Sequence, residues 1–284
     1  HVSPAFSEDP VRILRIARFA ARYSHLGFSI AEETQQLMKQ MVKNGETDHL
    51  VAERVWAELV KALSEKTPSA FFYTLKECNA LKSIFPELDQ LFGIPQPEKY
   101  HPEIDTGLHS LLSLEQASLL STKPEVRLAA LLHDLGKAAT DKSKWPSHHG
   151  HEQKGLAILE QFCHRLRVPK PFKTLAIQVM NYHTHSHRCF ELKASTLTDM
   201  LSALGAFKAS NPTLNDFIMA CEADAKGRTG LENTSYPQSA YLIASADAGR
   251  NIDSSAILNS DLKGPQIGDA IRSLRIKAIK NFIK

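Results

Sequence analysis

Apolar residues recur at three- and four-residue spacings along almost the whole chain, as in VRILRIARFAARY (11–23), AERVWAELVKAL (52–63) and PEVRLAALLHD (124–134). In a 3.6-residue helix that spacing gathers the apolar side chains into one stripe. Period-2 runs bounded by turn residues, which would mark half-buried strands, are missing. The pattern predicts an all-α protein. With 284 residues and 43% hydrophobic content, the chain is long enough to bury a real core. No apolar run reaches the roughly 18 residues of a membrane span, and no signal peptide is visible, so no membrane partner is expected. The chain begins at His1 rather than Met, directly before a helix signal, and is expected to be a piece of something longer.

Proline and glycine divide the pattern. FGIPQPEKYHP (92–102) carries Gly93, Pro95, Pro97 and Pro102, which forbid a continuous helix and mark a domain boundary. DKSKWPSHHG (141–150) reads as a loop over the middle region, and KGRTGLENTSYP (226–237) separates that region from a C-terminal tail. Cys78, Cys163, Cys189 and Cys221 lie far apart with no C-x-x-C pair, which argues against a disulfide framework and for a reducing, cytoplasmic setting. A formal charge of +3 permits an RNA partner without arguing for one.

Ten of the thirteen histidines fall between His101 and His187, and that clustering needs a chemical reason. LLHDLGK (131–137) ends an apolar helix with His133 and Asp134, and Gly136 is placed as its C′ cap. A carboxylate there opposes the helix dipole by about 0.3–1 kcal/mol. Burial beside leucines costs more unless the group is paired or bound to a cation. TGLHSLLSLEQA (106–117) places His109 on an interior face, and NDFIMACEADAKGR (215–228) ends an apolar helix with Asp224. Imidazole nitrogen with carboxylate oxygen suits Mn, Fe, Ni, Zn or Mg, and such an ion acidifies water and polarises a phosphoryl oxygen. An isolated His-Asp pair would equally well be a surface or cap interaction. His148 and His149 read as solvent-facing, His101 and His164 as ordinary surface residues, and His185 and His187 stay open.

In that order, His109, His133-Asp134 and Asp224 resemble the HD-domain metal-dependent phosphohydrolases, and HDLGK matches their HD-x-G-K signature. The resemblance covers roughly the middle hundred residues. It implies a metal held by His109, His133, Asp134 and Asp224, catalysis by His133, Asp134 and Lys137, and a phosphate contact from Lys137. It also implies that His151 and His183 are further ligands or phosphate contacts.

SEDPVRILRIARFAARY (7–23) opens with Asp9 as N-cap before Pro10. Arg12, Arg15, Arg18 and Arg22 fall within an arc of about 120°, opposite Val11, Ile13, Leu14, Ala17 and Ala21. A solvated basic face explains this, and so does a set of guanidinium forks for phosphates or bases. The segment is similar to one in bacterial CCA-adding enzymes, the class II tRNA nucleotidyltransferases. Their E-D-x-x-R motif, which reads CTP and ATP, maps onto Glu8, Asp9 and Arg12, with Arg15 as an additional nucleotide contact. Their E-R-x-x-x-E-L bracing element maps onto Glu53, Arg54 and Glu58, which would also serve as plain helix charge pairs. Gly264 and Pro265 open a basic tail helix like theirs.

The resemblance implies three parts: a neck and body over 1–97 for base recognition and RNA binding, an HD helical bundle over 98–205, and a helical tail over 206–284 that completes the HD site and binds tRNA. It implies 2′,3′-cyclic phosphodiesterase, 2′-nucleotidase and phosphatase activity with Ni²⁺ or a similar ion. The expected partners are the tRNA acceptor end, CTP, ATP and phosphoesters such as 2′,3′-cyclic nucleotides; monomer and homodimer both stay open. Mg²⁺ serves nucleotidyl transfer in the family, but its G-[GS]-x-x-R turn and D-x-D pair do not occur here, the nearest patterns being Glu87–Asp89 and Glu222–Asp224. The 284 residues alone are therefore expected not to add CCA. Two alternatives are a tRNA-binding module with a vestigial HD site and an HD-type nucleotide phosphohydrolase; the latter leaves SEDPVRILR unexplained.

Overall fold

Helix α1 (Val11–Tyr23) starts where the Asp9 carboxylate accepts the Val11 N–H at 3.1 Å, with Pro10 leading into the first turn. In this computed structural model, which describes residues 9–208, 212–258 and 261–282, its Val11, Ile13, Leu14, Ala17 and Ala21 are buried, as the spacing predicts. Glu8 lies outside the described residues. After α2 (Glu32–Lys43) come α3 (Ala52–Leu63) and α4 (Ser69–Glu77), which both pack on α1; α5 (Ala80–Ile84) and α6 (Pro86–Asp89) complete this half.

The second half contains α7 (Thr106–Leu120), α8 (Pro124–Leu132), α9 (His151–Arg165), α10 (Lys170–His187), α11 (Ala194–Ala203), α12 (Pro212–Lys226), α13 (Gln238–Arg250), α14 (Ser255–Leu258) and α15 (Pro265–Phe282). Among the described residues there is no strand, only an isolated bridge between Pro95 and Asp105, so the protein is all-α. Helix α8 is central: every residue from Val126 to Leu132 is buried, because α7, α10 and α12 pack around it. A helix enclosed on all sides has no use for a polar face. In α10 the buried stripe runs Phe172, Leu175, Ala176, Val179, Met180 and then His183, so the core period carries a histidine into the interior.

The two halves share one core. Trp56 meets Phe172 edge-on at 4.9 Å, and Phe85 approaches Phe162 at 6.4 Å. Buried Arg127 adds a polar clamp that acts on backbone carbonyls. Its Nη1 donates to the carbonyls of Leu63 (2.6 Å) and Glu65 (3.0 Å), its Nε to Ser121 (2.9 Å) and its Nη2 to Ser118 (3.1 Å).

Gly136 is not a left-handed C′ cap. Helix α8 ends at Leu132, and Gly136 sits inside a 3₁₀ turn over Leu135–Ala139 with no positive φ. Glycine is needed for a different reason: a Cβ there would lie 1.9 Å from the His151 carbonyl oxygen and 2.6 Å from the Gly155 nitrogen. The missing side chain lets the 3₁₀ turn press against α9.

Candidate metal centre

Six side chains from five segments converge beneath the end of α8: His109 from α7, His133 and Asp134 just past α8, His151 from α9, His183 from α10 and Asp224 from α12. All but His151 are buried, and His151 is nearly so. His109 Nε2 lies 3.0 Å from Asp224 Oδ1 and 3.9 Å from Asp134 Oδ2. His133 Nε2 lies 3.0 Å from Asp134 Oδ2 and 3.5 Å from Asp224 Oδ1. The other Asp134 oxygen faces a second group, with His151 Nε2 at 3.3 Å and His183 Nε2 at 3.7 Å; those two nitrogens are 3.2 Å apart.

The outward ring nitrogens show which tautomers are held. His133 Nδ1 donates to the Ala130 carbonyl at 2.7 Å, His183 Nδ1 to Val179 at 3.0 Å and His151 Nδ1 to the His148 carbonyl at 2.9 Å. His109 Nδ1 hydrogen-bonds the Gly227 carbonyl at 3.3 Å and lies 3.0 Å from Glu103 Oε1, within ion-pair distance. Carbonyls and carboxylates only accept, so each Nδ1 carries hydrogen and each Nε2 is the ring nitrogen turned towards the cluster. Metal-ligating histidines are oriented in this way.

The electrostatics agree. Burial opposes charge on Asp134 and Asp224, but His133 with Lys137, and His133 with His187, hold these carboxyls well below the usual range. Burial would lower the His133 pKa, yet Asp134 and Asp224 raise it to about 9. His183, dominated by burial, is lowered to about 3 and stays neutral. Ionised carboxylates and the neutral His183 are ligating forms, whereas His133, with its pKa held at about 9, would release its Nε2 proton on binding an ion. Asp134 Oδ1 is buried without a hydrogen-bond partner, and such a carboxylate oxygen normally demands one. Three of the four neighbouring donor distances, 3.0, 3.0 and 3.5 Å, match edges of about 3–3.5 Å expected around an ion with bonds near 2.1 Å, and the fourth, His109 to Asp134 at 3.9 Å, is longer. The residues therefore fit a divalent cation.

Lys137 Nζ reaches Asp134 Oδ2 at 2.7 Å and donates to Gln96 Oε1, so it stands at the rim of the cluster. Lys137, His151, His148, Pro97 and Arg188 line a cleft of about 410 Å³ over it, partly roofed by the 146–150 loop. Several histidines differ from expectation. His148 is buried, with Nδ1 2.7 Å from Thr140 Oγ1 and Nε2 donating to the Pro95 carbonyl at 2.8 Å, because it bolts that loop to the Pro-rich segment. His101 is no surface residue: it lies edge-on to His109 at 4.6 Å and shares Glu103 with it. His187 Nε2 donates to Asp224 Oδ2 at 2.6 Å, whereas His185 faces Tyr182; His149 and His164 are exposed as expected. Glu103 and Gln96 were missed because polar residues in a Pro-rich loop follow no helical period.

At the other end, Asp9 pairs with Arg54 at 2.5 Å and Glu58 with Arg18 at 2.7 Å, so two of the three bracing residues reach α1. Glu53 pairs with Arg167 instead. Arg22 is tied to Glu65 at 2.9 Å. Among the described residues Arg12 and Arg15 have no ion-pair partner. Of the tail arginines, Arg272 pairs with Asp199 at 2.6 Å and Arg275 lies over Phe207 at 4.3 Å, so both staple α15 to the bundle.

A helical bundle enclosing this cluster has the architecture of the HD-domain class, and a family model described as "HD domain" matches residues 106–220. A second model, "Probable RNA and SrmB- binding site of polymerase A", matches residues 27–92. The chain is 57% identical over 280 residues to a Multifunctional CCA protein of Teredinibacter turnerae, spanning 99% of this chain and 68% of the relative. It is 54% identical over 282 residues to one of Methylococcus capsulatus, spanning 99% and 66%. The chain belongs to the multifunctional CCA protein family. Its fold is similar to "The structure of CCA-adding enzyme apo form I", with a TM-score of 0.59 at 19% identity over 97% of this chain and 56% of that one. "The complex structure of CCA-adding enzyme with CTP" gives 0.56 at 19% identity over 97% and 57%. No helix among the described residues is long and apolar enough to cross a membrane, and the four cysteines are free and buried.

Proposed function

We propose that the cluster is the active site of a metal-dependent phosphohydrolase acting on 2′,3′-cyclic phosphodiesters, 2′-nucleotides and related phosphomonoesters. The observation that carries this is Asp134: its two oxygens face separate histidine groups, and Oδ1 is buried without a partner. His109, His133, Asp134 and Asp224 would hold one divalent ion, and Asp134, His151 and His183 a second. When bound, such ions supply an acidified water and polarise the phosphoryl oxygens. The protein's own work is placement. Carbonyls behind His133, His151 and His183 hold the ligating tautomer, and His187 restrains Asp224. Lys137, at the cleft floor, offsets charge on the phosphate, and the 146–150 loop shields the reaction from water.

The test is hydrolysis of 2′,3′-cyclic AMP with Ni²⁺, Mn²⁺ and Mg²⁺, together with metal analysis of the purified chain. Wild type is expected to turn over only with added ion, and Asp134→Ala not at all. Equal turnover by the variant would refute the site.

The α1 end supports a second role in handling tRNA, CTP and ATP, with Asp9, Arg12 and Arg15, and with Glu8 from outside the described residues, facing nucleotide. The observation favouring it is that, among the described residues, no ion pair is formed by Arg12 or Arg15 beside the Asp9–Arg54 brace. tRNA binding should weaken steeply with salt and lose part of that slope in Arg12→Ala/Arg15→Ala. Insensitivity to both would remove this role. The division into 1–97, 98–205 and 206–284 is part of the same proposal.

A further inference from the structure

Three of the four buried-ring tautomers are set locally. His133, His183 and His151 each donate Nδ1–H to a carbonyl three or four residues earlier, so forming the helix end or turn suffices to aim the ring. His109 has no such arrangement. Its Nδ1 reaches out of its own helix, hydrogen-bonding the Gly227 carbonyl at 3.3 Å with the Glu103 Oε1 anion 3.0 Å away on the same nitrogen.

Glu103 is held for this contact. Its side chain is 3% exposed, Oε1 also accepts from His101 Nδ1 at 3.1 Å, and its other oxygen, Oε2, accepts the Thr229 N–H at 3.2 Å. Thr229 lies three residues past the end of α12, which carries Asp224. The carboxylate therefore joins the loop before α7 to the segment after α12. The backbone is strained at the same place. Ile104, next to Glu103, has φ +60°, a left-handed conformation that costs a β-branched residue about 1–3 kcal/mol, and its side chain is 43% exposed, so little burial offsets it. The twist separates two duties: Glu103 turns inward, while Asp105 turns to cap α7, accepting from Leu108 N–H at 2.8 Å and Gly93 N–H at 2.5 Å.

We propose that Glu103 is a positioning residue of the metal centre, holding His109 in the Nδ1–H tautomer and fixing it against Asp224 so that His109 Nε2 and Asp224 Oδ1 present together to the ion. The proposal rests on the metal-centre reading above. A carboxylate behind a ligating imidazole also raises its basicity, and loss of such partners typically weakens metal affinity about 10–100-fold.

The test is calorimetric titration of the full chain with Mn²⁺ and with Ni²⁺ alone, for wild type, Glu103→Gln and Glu103→Ala, beside metal-free melting curves. Expected is a 10–100-fold weaker dissociation constant in both variants, with a smaller metal-induced rise in melting temperature. Equal affinity in wild type and variants overturns the role of Glu103 while leaving the metal centre standing, including the case in which only metal-free stability falls. Failure of wild type to bind either ion overturns both. Should these variants not fold, ¹⁵N histidine spectra of metal-free wild type and Glu103→Asp decide: a hydrogen-bonded Nδ1–H on His109 that is lost or shifted in the variant supports the proposal, and one unchanged in both, held by the Gly227 carbonyl alone, overturns it.

Discussion

Asp134 Oδ1 lies 3.3 Å from His151 Nε2, while Oδ2 of the same carboxylate lies 3.0 Å from His133 Nε2. One side chain at the end of one helix thus links its neighbour His133 and histidines from three other helices into a single polar cluster inside an apolar bundle. On the two-ion reading, His151→Ala removes one equivalent of bound metal and Asp134→Ala disrupts both. Metal content after dialysis checks this; equal stoichiometry in wild type and His151→Ala would rule out the second ion.

Gly136 tests the packing beneath that cluster. Its missing Cβ accommodates the His151 carbonyl at 1.9 Å and the Gly155 backbone, neither of which has a rotamer with which to yield. Gly136→Ala should destabilise by about 1–3 kcal/mol through forced backbone movement. Urea unfolding should show a lower midpoint at unchanged slope, and an unchanged midpoint would contradict the contact.

Arg127 clamps the two halves through four backbone carbonyls. Arg127→Ala leaves these neutral acceptors unpaired at a buried junction, and a loss of about 1–3 kcal/mol or more is expected, the cost of an unsatisfied buried polar group. Arg127→Lys, with fewer donors and no planar fork, should recover only part of it. Chemical denaturation of both variants provides the comparison.

Glu58 gives a pH-dependent test far from the metal centre. Burial raises its carboxyl pKa, but Lys61 at 2.9 Å and Arg18 at 2.7 Å outweigh burial and leave it below 4.5. A depressed folded-state pKa stabilises fully above the unfolded value and is lost as pH falls through the folded one. Glu58→Gln should therefore cost about 1 kcal/mol near neutrality. The two stability curves should converge as pH drops below 4.5. A constant gap into the acid range would assign the cost to packing instead.

Much of the site can be read from spacing. His183 and Asp224 continue the buried stripes of α10 and α12, and His133-Asp134 closes an apolar helix, so each enters the interior by the same period that builds the core. Glu103, His101 and His148 carry no such mark. They lie in loops where no 3.6-residue repeat operates, and their burial comes from segments that close over them later in the chain. Gly136 was legible as a necessary glycine but not in its reason, because a turn and a close approach ask for the same residue.

The amino-acid sequence by itself determined the helices and their buried faces, since propensity, capping and periodicity act over a few residues, and the resemblance to HD domains marked the side chains proposed as ligands. Tertiary structure decided which atoms meet. His109 and Asp224 are 115 residues apart in the chain and 3.0 Å apart in space, and His109 and the Gly227 carbonyl are 118 apart. Which oxygen of Asp134 faces which histidine, and that a loop glutamate aims His109, follow from how α7, α8, α10 and α12 pack. That packing is set by the shapes of whole faces in contact, and no local pattern encodes it.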